Sequence, residues 1–87
     1  MMTTAARRER RKQPIRRSVQ SAIELYLDDL NGHHVNDLYH MVLGEVEPAL
    51  LNVVMQHVEG NQSQAAEMLG ITRATLRKKL KLYELEL

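Results

Sequence analysis

Near one end of this chain, five basic side chains fall within nine residues, with two threonines beside them and no acidic residue among them. The basic residues are Arg73, Arg77, Lys78, Lys79 and Lys81. Arginine offers a planar pair of donors that fits a phosphate or the edge of guanine, whereas lysine offers a compact charge suited to phosphate. The hydroxyls of Thr72 and Thr75 add short hydrogen-bonding groups. These residue types at this density indicate binding to a polyanion.

The formal net charge of +1 hides a strong segregation of charge along the 87 residues. Residues 1–17 carry seven basic side chains against one acidic, a net +6, whereas residues 18–60 carry seven acidic side chains and no Lys or Arg. Residues 71–83 carry the five basic residues alone, a net +5. This asymmetry favours a polyanionic partner that meets the ends of the chain and not its middle. A charged run can also be a solvated face, so the surrounding elements must decide.

The segment "GNQSQAAEMLGITRATLRKKLKLY", residues 60–83, predicts two short helices joined by a turn at Gly70. Asn61 and Gln64 have the spacing of a reciprocal cap for the first helix, and Thr72 can cap the second. The positions predicted to face inward are Ala65, Ala66, Leu69, Ile71, Leu76, Leu80 and Tyr83. A small residue, a turn glycine and apolar anchors in this order are typical of a DNA-binding helix-turn-helix.

The second helix of this motif is predicted to read DNA, because its amino-terminal end is the part that meets base edges. There Arg73 can form a bidentate pair with guanine, with Thr72 and Thr75 beside it. Arg77, Lys78, Lys79 and Lys81 suit phosphates, which set the affinity and its salt dependence. An ordinary helical hairpin with an exposed basic face is the alternative.

Two further helices are predicted upstream. Val19, Ala22, Ile23, Tyr26, Leu27 and Leu30 form one apolar stripe, interpreted as core, which ends at Asn31-Gly32. The next helix is predicted to start with Asn36 as its cap, to run to about Val58, and to kink at Pro48. Its apolar residues cover two faces, more than one short chain can bury, so a second copy is predicted to complete the core. The expected fold is all-α, with a flexible basic tail over residues 1–14, dimerisation helices over 15–59 and the helix-turn-helix over 60–87.

The composition excludes several classes of site. The chain has no cysteine, and none of its four histidines pair at the i, i+4 spacing of a helical metal site. The acidic residues lack a nucleophile–base arrangement, and no glycine-rich phosphate loop is present. No apolar run approaches the roughly 18 residues of a membrane span. We therefore expect no enzymatic activity, no cofactor, no metal and no membrane, and a cytosolic protein.

The residues of the carboxyl-terminal motif closely resemble those of the Fis family, the bacterial factor for inversion stimulation. The segment "NGHHVNDLYHMVLGEVEPALLNVVMQHVEGN" resembles the family's central helix, and "PIRRSVQSAIELYLDDL" resembles its first helix more loosely, so the resemblance covers about residues 14–83. The positions that match DNA-contacting residues of the family are Asn61, Ser63, Gln64, Thr72, Arg73, Thr75, Arg77, Lys78 and Lys79. Ser63 replaces a common threonine. Gln64 replaces an arginine that contacts the DNA backbone, so weaker contact with flanking DNA is implied.

The resemblance implies an all-helical homodimer whose first two helices intertwine and whose reading helices enter successive major grooves. Because those helices lie closer together than one turn of B-DNA, roughly 34 Å, binding implies bent DNA with an AT-rich, deformable centre. It also implies a nucleoid-associated regulator of transcription, with RNA polymerase as a further partner. The arginine-rich "RRERRK" does not resemble the family's amino-terminal arm, so activation of recombinases is not expected. Our hypothesis is that this tail adds nonspecific phosphate contacts.

Two other readings stay open on the sequence alone. A similar helix-turn-helix closes the enhancer-binding activators of the nitrogen-response type, and the chain could be a detached domain of that kind. The initiator-like Met1-Met2 and the close fit of the second helix favour a free-standing protein. A helical adaptor that uses the acidic middle segment to bind proteins is the third reading, and it predicts no binding to DNA.

Overall fold

A computed structural model describes the backbone of residues 4–30 and 33–85 and the side chains of residues 14–30 and 33–85. Four α-helices and no strand occur within these ranges: α1 (Thr4–Asp29), α2 (Leu38–His57), α3 (Gln62–Leu69) and α4 (Arg73–Leu82). The all-α fold with four helices is therefore confirmed. Of the helices described, none combines the length and the apolar character that crossing a bilayer requires. The chain forms two compact units, Met1–Asn36 and Asp37–Leu87.

In the first unit the helix starts earlier than expected. Residues 4–13, predicted to lie in a flexible tail, have helical backbone that continues through Pro14 to Asp29. Alanine, arginine, glutamate, lysine and glutamine fill all of residues 5–13, and all of them are strong helix formers. The expected stop at Asn31-Gly32 lies outside the described residues.

The apolar stripe of α1 is not buried in the single chain, contrary to its interpretation as core. Within the stripe, Tyr26 and Leu27 remain 41% and 42% exposed, and Ala22 is also exposed. Val19 and Ile23 are only half-buried. A stripe of this kind needs a further surface to exclude water from it.

The second unit contains the core. The end of α2 contributes Leu51, Val54 and Met55, followed by Val58, and these residues pack with buried side chains of α3 and α4. Those side chains are Ala65, Ala66, Leu76 and Leu80, with Leu69, Ile71, Tyr83 and Leu85 partly buried around them. The inward positions predicted for the helix-turn-helix are thereby confirmed.

The start of α2 differs from the prediction by one residue. Asp37, not Asn36, stands at the cap position, and it has a left-handed backbone with φ 61° and no side-chain cap bond. Its carboxylate instead lies 2.6 Å from His40 Nδ1, one turn into the helix. Pro48 lies inside α2 as expected, and the kink there stays a prediction.

The outer face of α2 carries a second apolar stripe, which we call the α2 stripe. Its members follow one another at alternating steps of four and three residues and are between 42% and 71% exposed. They are Tyr39, Leu43, Val46, Leu50 and Val53. This spacing keeps the side chains on one line along the helix and is the spacing with which helices pack against each other over long distances. The helix is thus apolar on two faces, as the sequence predicts, and only one of them meets the core of its own unit.

Gly70 ends α3 with φ 75°, and its amide donates to the carbonyls of Ala66 and Glu67 at 2.9 and 3.2 Å. A Cβ at this position would meet no atom within 4 Å, so Gly70→Ala adds backbone strain without a clash. We expect the free energy of unfolding to fall by about 1–2 kcal/mol. Chemical denaturation at one fixed protein concentration measures this change.

The matched control for this prediction is Gly44→Ala, because Gly44 lies inside α2 and also has open space around its would-be Cβ. Alanine there gains helix propensity, so stability should rise by about 0.5–1 kcal/mol. A loss of stability at Gly44 equal to that at Gly70 would contradict the assignment of the Gly70 effect to its left-handed backbone.

Candidate nucleic-acid interface

The helix-turn-helix begins at a side-chain cap. Asn61 Oδ1 accepts a hydrogen bond from the backbone amide of Gln64 at 3.1 Å, as the sequence predicts. The reciprocal half of the predicted cap is not formed, because the amide of Asn61 donates to the carbonyl of Val58 at 3.1 Å. The side chain of Gln64 is therefore not required for capping and is exposed at the first turn of α3, beside the exposed Ser63.

The reading helix α4 begins at Thr72, also as predicted. Thr72 Oγ1 accepts from the amide of Thr75 at 3.1 Å and donates to Thr75 Oγ1 at 2.9 Å. The second contact holds the Thr75 hydroxyl beside Thr72 at the start of the helix. This local network holds the amino-terminal end of α4 in place next to Arg73.

The basic residues of α4 fall into two groups. Arg73, Arg77, Lys78 and Lys81 are exposed, and none of them forms an ion pair with another of the described side chains. Exposed polar residues also stand at the start of α3, namely Asn61, Ser63 and Gln64, so the helix-turn-helix of the second unit carries exposed polar and positively charged side chains on both of its helices. On these helices arginine offers paired hydrogen-bond donors and lysine offers a compact positive charge, and both can bind phosphates or the edges of bases.

Lys79 belongs to the other group, because it is half-buried and bound within the protein. Its Nζ lies 3.0 and 3.2 Å from the two carboxylate oxygens of Glu47, on α2. The hydroxyl of Tyr83 donates to the same carboxylate, to Glu47 Oε1, at 2.6 Å. We call these three residues the Glu47 cluster. Sequence reasoning did not single out Glu47, because nothing in the local pattern links it to side chains 32 and 36 residues away.

The Glu47 cluster shifts the acidity of two of its members. The hydrogen bond from Tyr83, followed by the one from Lys79, lowers the pKa of the Glu47 carboxyl below its usual value of 4.5. The same bond to Glu47 raises the pKa of the Tyr83 hydroxyl above its usual value of 10.0. Both shifts have one cause: the network favours an ionised carboxylate and a protonated phenol.

This shift predicts how stability depends on pH. Because the pKa of Glu47 is lower in the folded than in the unfolded state, its contribution to stability is present above the unfolded pKa and is lost as pH falls through the folded pKa. Glu47→Gln imitates the protonated carboxyl. We therefore expect a melting temperature below that of the wild type at neutral pH, with the difference disappearing in acid. A difference that stayed constant down to low pH would contradict this origin.

The chain is similar to characterised regulatory proteins of bacteria. Residues 42–83 match the family described as "Bacterial regulatory protein, Fis family". The "DNA-binding protein Fis" of Aliivibrio fischeri (strain MJ11) is 53% identical over 81 residues, which span 93% of this chain and 83% of that relative. The proteins of that name from Proteus mirabilis (strain HI4320) and Aeromonas hydrophila subsp. hydrophila are 57% and 58% identical over 72 residues, 83% of this chain and 74% of each relative.

Proposed function

As this chain belongs to the Fis family of bacterial regulatory proteins, we propose that it is a nucleoid-associated regulator that binds and bends double-stranded DNA as a homodimer. It is a binding protein and not an enzyme. Relatives that share more than half of their aligned residues with it are named DNA-binding proteins. A place on the bacterial chromosome, in the cytoplasm, follows from that partner.

The proposal rests on how the protein holds α4 and on which of its side chains are exposed. Its amino-terminal end is capped by Thr72, its inner face is fixed to the core by Leu76 and Leu80, and Arg73, Arg77 and Lys78 are exposed. The second helix of a helix-turn-helix, when it is held in this way, is suited to enter the major groove of DNA. Its ends and flanks are cationic where phosphates would lie.

Within this surface the proposed roles follow from side-chain chemistry. Arg73 reads a guanine edge, and Thr72 and Thr75 lie beside it at the base-facing end. Arg77 and Lys78 bind phosphates along α4. At the start of α3 the short polar groups are placed to bind the flanking backbone, and these are Asn61, Ser63 and Gln64. Lys79 is considered separately below.

The homodimer rests on the apolar surface that the single chain leaves uncovered. The α2 stripe and the stripe of α1 are too extensive to remain in water when the core of the described residues contains only eight buried side chains. A second copy would cover both and would present a pair of reading helices to one duplex. Two such helices at a fixed separation favour DNA that bends easily, and AT-rich centres narrow at low cost. RNA polymerase is a further partner that fits a regulator of this class.

A fluorescence-anisotropy titration across a salt series tests the proposal, with two duplexes that differ only in an AT-rich or a GC-rich centre. We expect tighter binding to the AT-rich centre and a steep fall of log affinity with log salt, about 0.9 for each phosphate neutralised. Energy transfer between dyes at the duplex ends reports the bend. Absence of binding to either duplex at low salt would overturn the proposal and favour the helical adaptor.

The basic amino-terminal segment gives a separate prediction. Deletion of residues 2–13 removes five positive charges against one negative charge from the end of α1. If these charges contact phosphates without reading sequence, affinity for both duplexes should fall together and the salt slope should become shallower. An affinity and slope equal to those of the intact chain would refute that role.

The detached-domain reading has less support than the free-standing one. The aligned relatives match 83–93% of this chain, which is far more than the helix-turn-helix alone, and the alignments span 74–83% of their own length. This extent favours a protein whose four helices act as one regulator.

A further inference from the structure

Glu47 is the point where two side chains of the reading helix meet α2. Lys79 lies on α4, and Tyr83 is the capping residue that follows the helix four residues later, so the two side chains lie one above the other and both bind the same carboxylate. The Lys79 and Glu47 side chains are each 33% exposed, whereas the neighbouring Arg77, Lys78 and Lys81 are exposed. The cluster is the link between α2 and α4 that is made of charged and hydrogen-bonding groups.

The geometry makes Lys79 a poor phosphate contact. Two of the three hydrogens of its ammonium group point to the oxygens of Glu47, and the ion pair carries no net charge. A neutral pair displaces few counterions from DNA, so it contributes little to the salt dependence of binding. A phosphate that approached Lys79 would also approach the carboxylate of Glu47, and the two negative charges would repel each other.

The same geometry fixes the rotation of α4 about its own axis. Leu76 and Leu80 anchor one line of the helix in the core, but apolar contacts are not directional. Lys79 and Tyr83 add directional bonds on an adjacent line, so the helix cannot turn without breaking them. The rotation of α4 determines where Arg73 and Lys78 point.

We propose that Glu47 is a positioning residue for the reading helix α4. We further propose that Lys79 forms an ion pair with Glu47 that ties α4 to α2, and that it does not contact a phosphate of DNA. The statement about DNA rests on the proposed function, whereas the tie itself is a property of the folded chain. On this proposal Lys79, which the sequence analysis assigned to DNA, binds Glu47 of its own chain instead.

Two adjacent lysines allow a matched test in the full chain. Lys79→Met should lower the melting temperature by about 2–6 °C and leave the salt slope of DNA binding unchanged. Lys78→Met should do the reverse, with an unchanged melting temperature and a slope lower by about 1.8, because each of the two subunits of the proposed homodimer loses one phosphate contact worth about 0.9. A slope that fell equally in both variants would overturn the proposal for Lys79.

Glu47→Gln tests the positioning role, with Glu45→Gln as a control that removes the same charge from an exposed side chain of the same helix. At a temperature far below the melting point, we expect Glu47→Gln to weaken binding to the preferred duplex several-fold at every salt concentration, and Glu45→Gln not to weaken it. Loss of a nearby negative charge would by itself strengthen binding to DNA, so the expected sign opposes the simple electrostatic effect. Equal or tighter binding by Glu47→Gln would overturn the positioning role.

A double-mutant cycle between Glu47→Gln and Lys79→Met, measured by thermal melting without DNA, tests the contact between the two side chains independently of the proposed function. We expect the double variant to melt near the lower of the two single variants, because both changes remove one interaction. Additive losses would overturn the tie. If wild-type protein bound no duplex, the proposed function would fail, and this cycle alone would decide the tie.

Discussion

Arg73→Ala should abolish most of the preference for one DNA site over another. The side chain lies in the first turn of α4, exposed and beside the Thr72 cap, where it can place its two parallel donors on a guanine. Loss of such a pair should weaken binding to the preferred duplex by about 5- to 150-fold. Binding to a duplex without that guanine should weaken much less. Competition titrations with the two duplexes measure both effects.

The salt series separates reading of a base from attraction to phosphate. Removal of one charge from each subunit lowers the slope by no more than about two contacts per bound dimer, whatever the loss of preference. Arg73→Lys is the informative control, because lysine keeps the positive charge but lacks the two parallel donors of arginine. This variant should lose the preference for one DNA site and keep the salt slope of binding. If Arg73→Ala weakened binding to all duplexes equally, Arg73 would be a phosphate contact and the base reader would have to be sought elsewhere on α4.

Leu50→Asp should dissociate the proposed homodimer. Leu50 lies in the middle of the α2 stripe and is 51% exposed in the single chain. In a dimer that buries this stripe, an unpaired carboxylate would lose its water, a cost of about 3–5 kcal/mol. The dissociation constant of the dimer should therefore rise by about 100-fold or more. Sedimentation equilibrium over a range of protein concentrations measures the change.

Met68→Asp is the control for this experiment. Met68 is 57% exposed, lies on α3 outside the α2 stripe, and acquires the same charge. We expect it to sediment as the wild type does. Equal dissociation in both variants, or an unchanged dimer in Leu50→Asp, would contradict the placement of the interface on the α2 stripe.

The helix-turn-helix was predictable because its signals are local. Asn61, Gly70 and Thr72 each act within four residues of their own position, and the structure confirms a cap, a left-handed turn and a second cap at these residues. The inward stripe followed from the same helical period. The predicted bond from the Gln64 side chain to the Asn61 amide does not form, because that amide already donates to the backbone carbonyl of Val58.

Other features were not accessible to local reasoning. The absence of apolar periodicity and the closing proline suggested a flexible tail over residues 1–14, but proline does not always end a helix, and residues 5–13 are strong helix formers. Asn36 and Asp37 are both good caps, so the sequence could not choose between them. Glu47 joins Lys79 and Tyr83 only after the chain has folded, since more than 30 residues separate them. A single sequence carries no mark of such a pairing.

The shortness of α3 and α4, eight and ten residues, has a consequence for turnover of the protein in the cell. Helices of this length are marginal in water by themselves, so the DNA-binding surface exists only while the core of the second unit is closed. DNA that binds only the folded second unit lowers the fraction of molecules in which this unit is unfolded, and the unfolded form is the one that proteases attack. On the function proposed here, molecules bound to the chromosome should outlive those that are free, and occupancy of DNA would itself help to set the amount of protein.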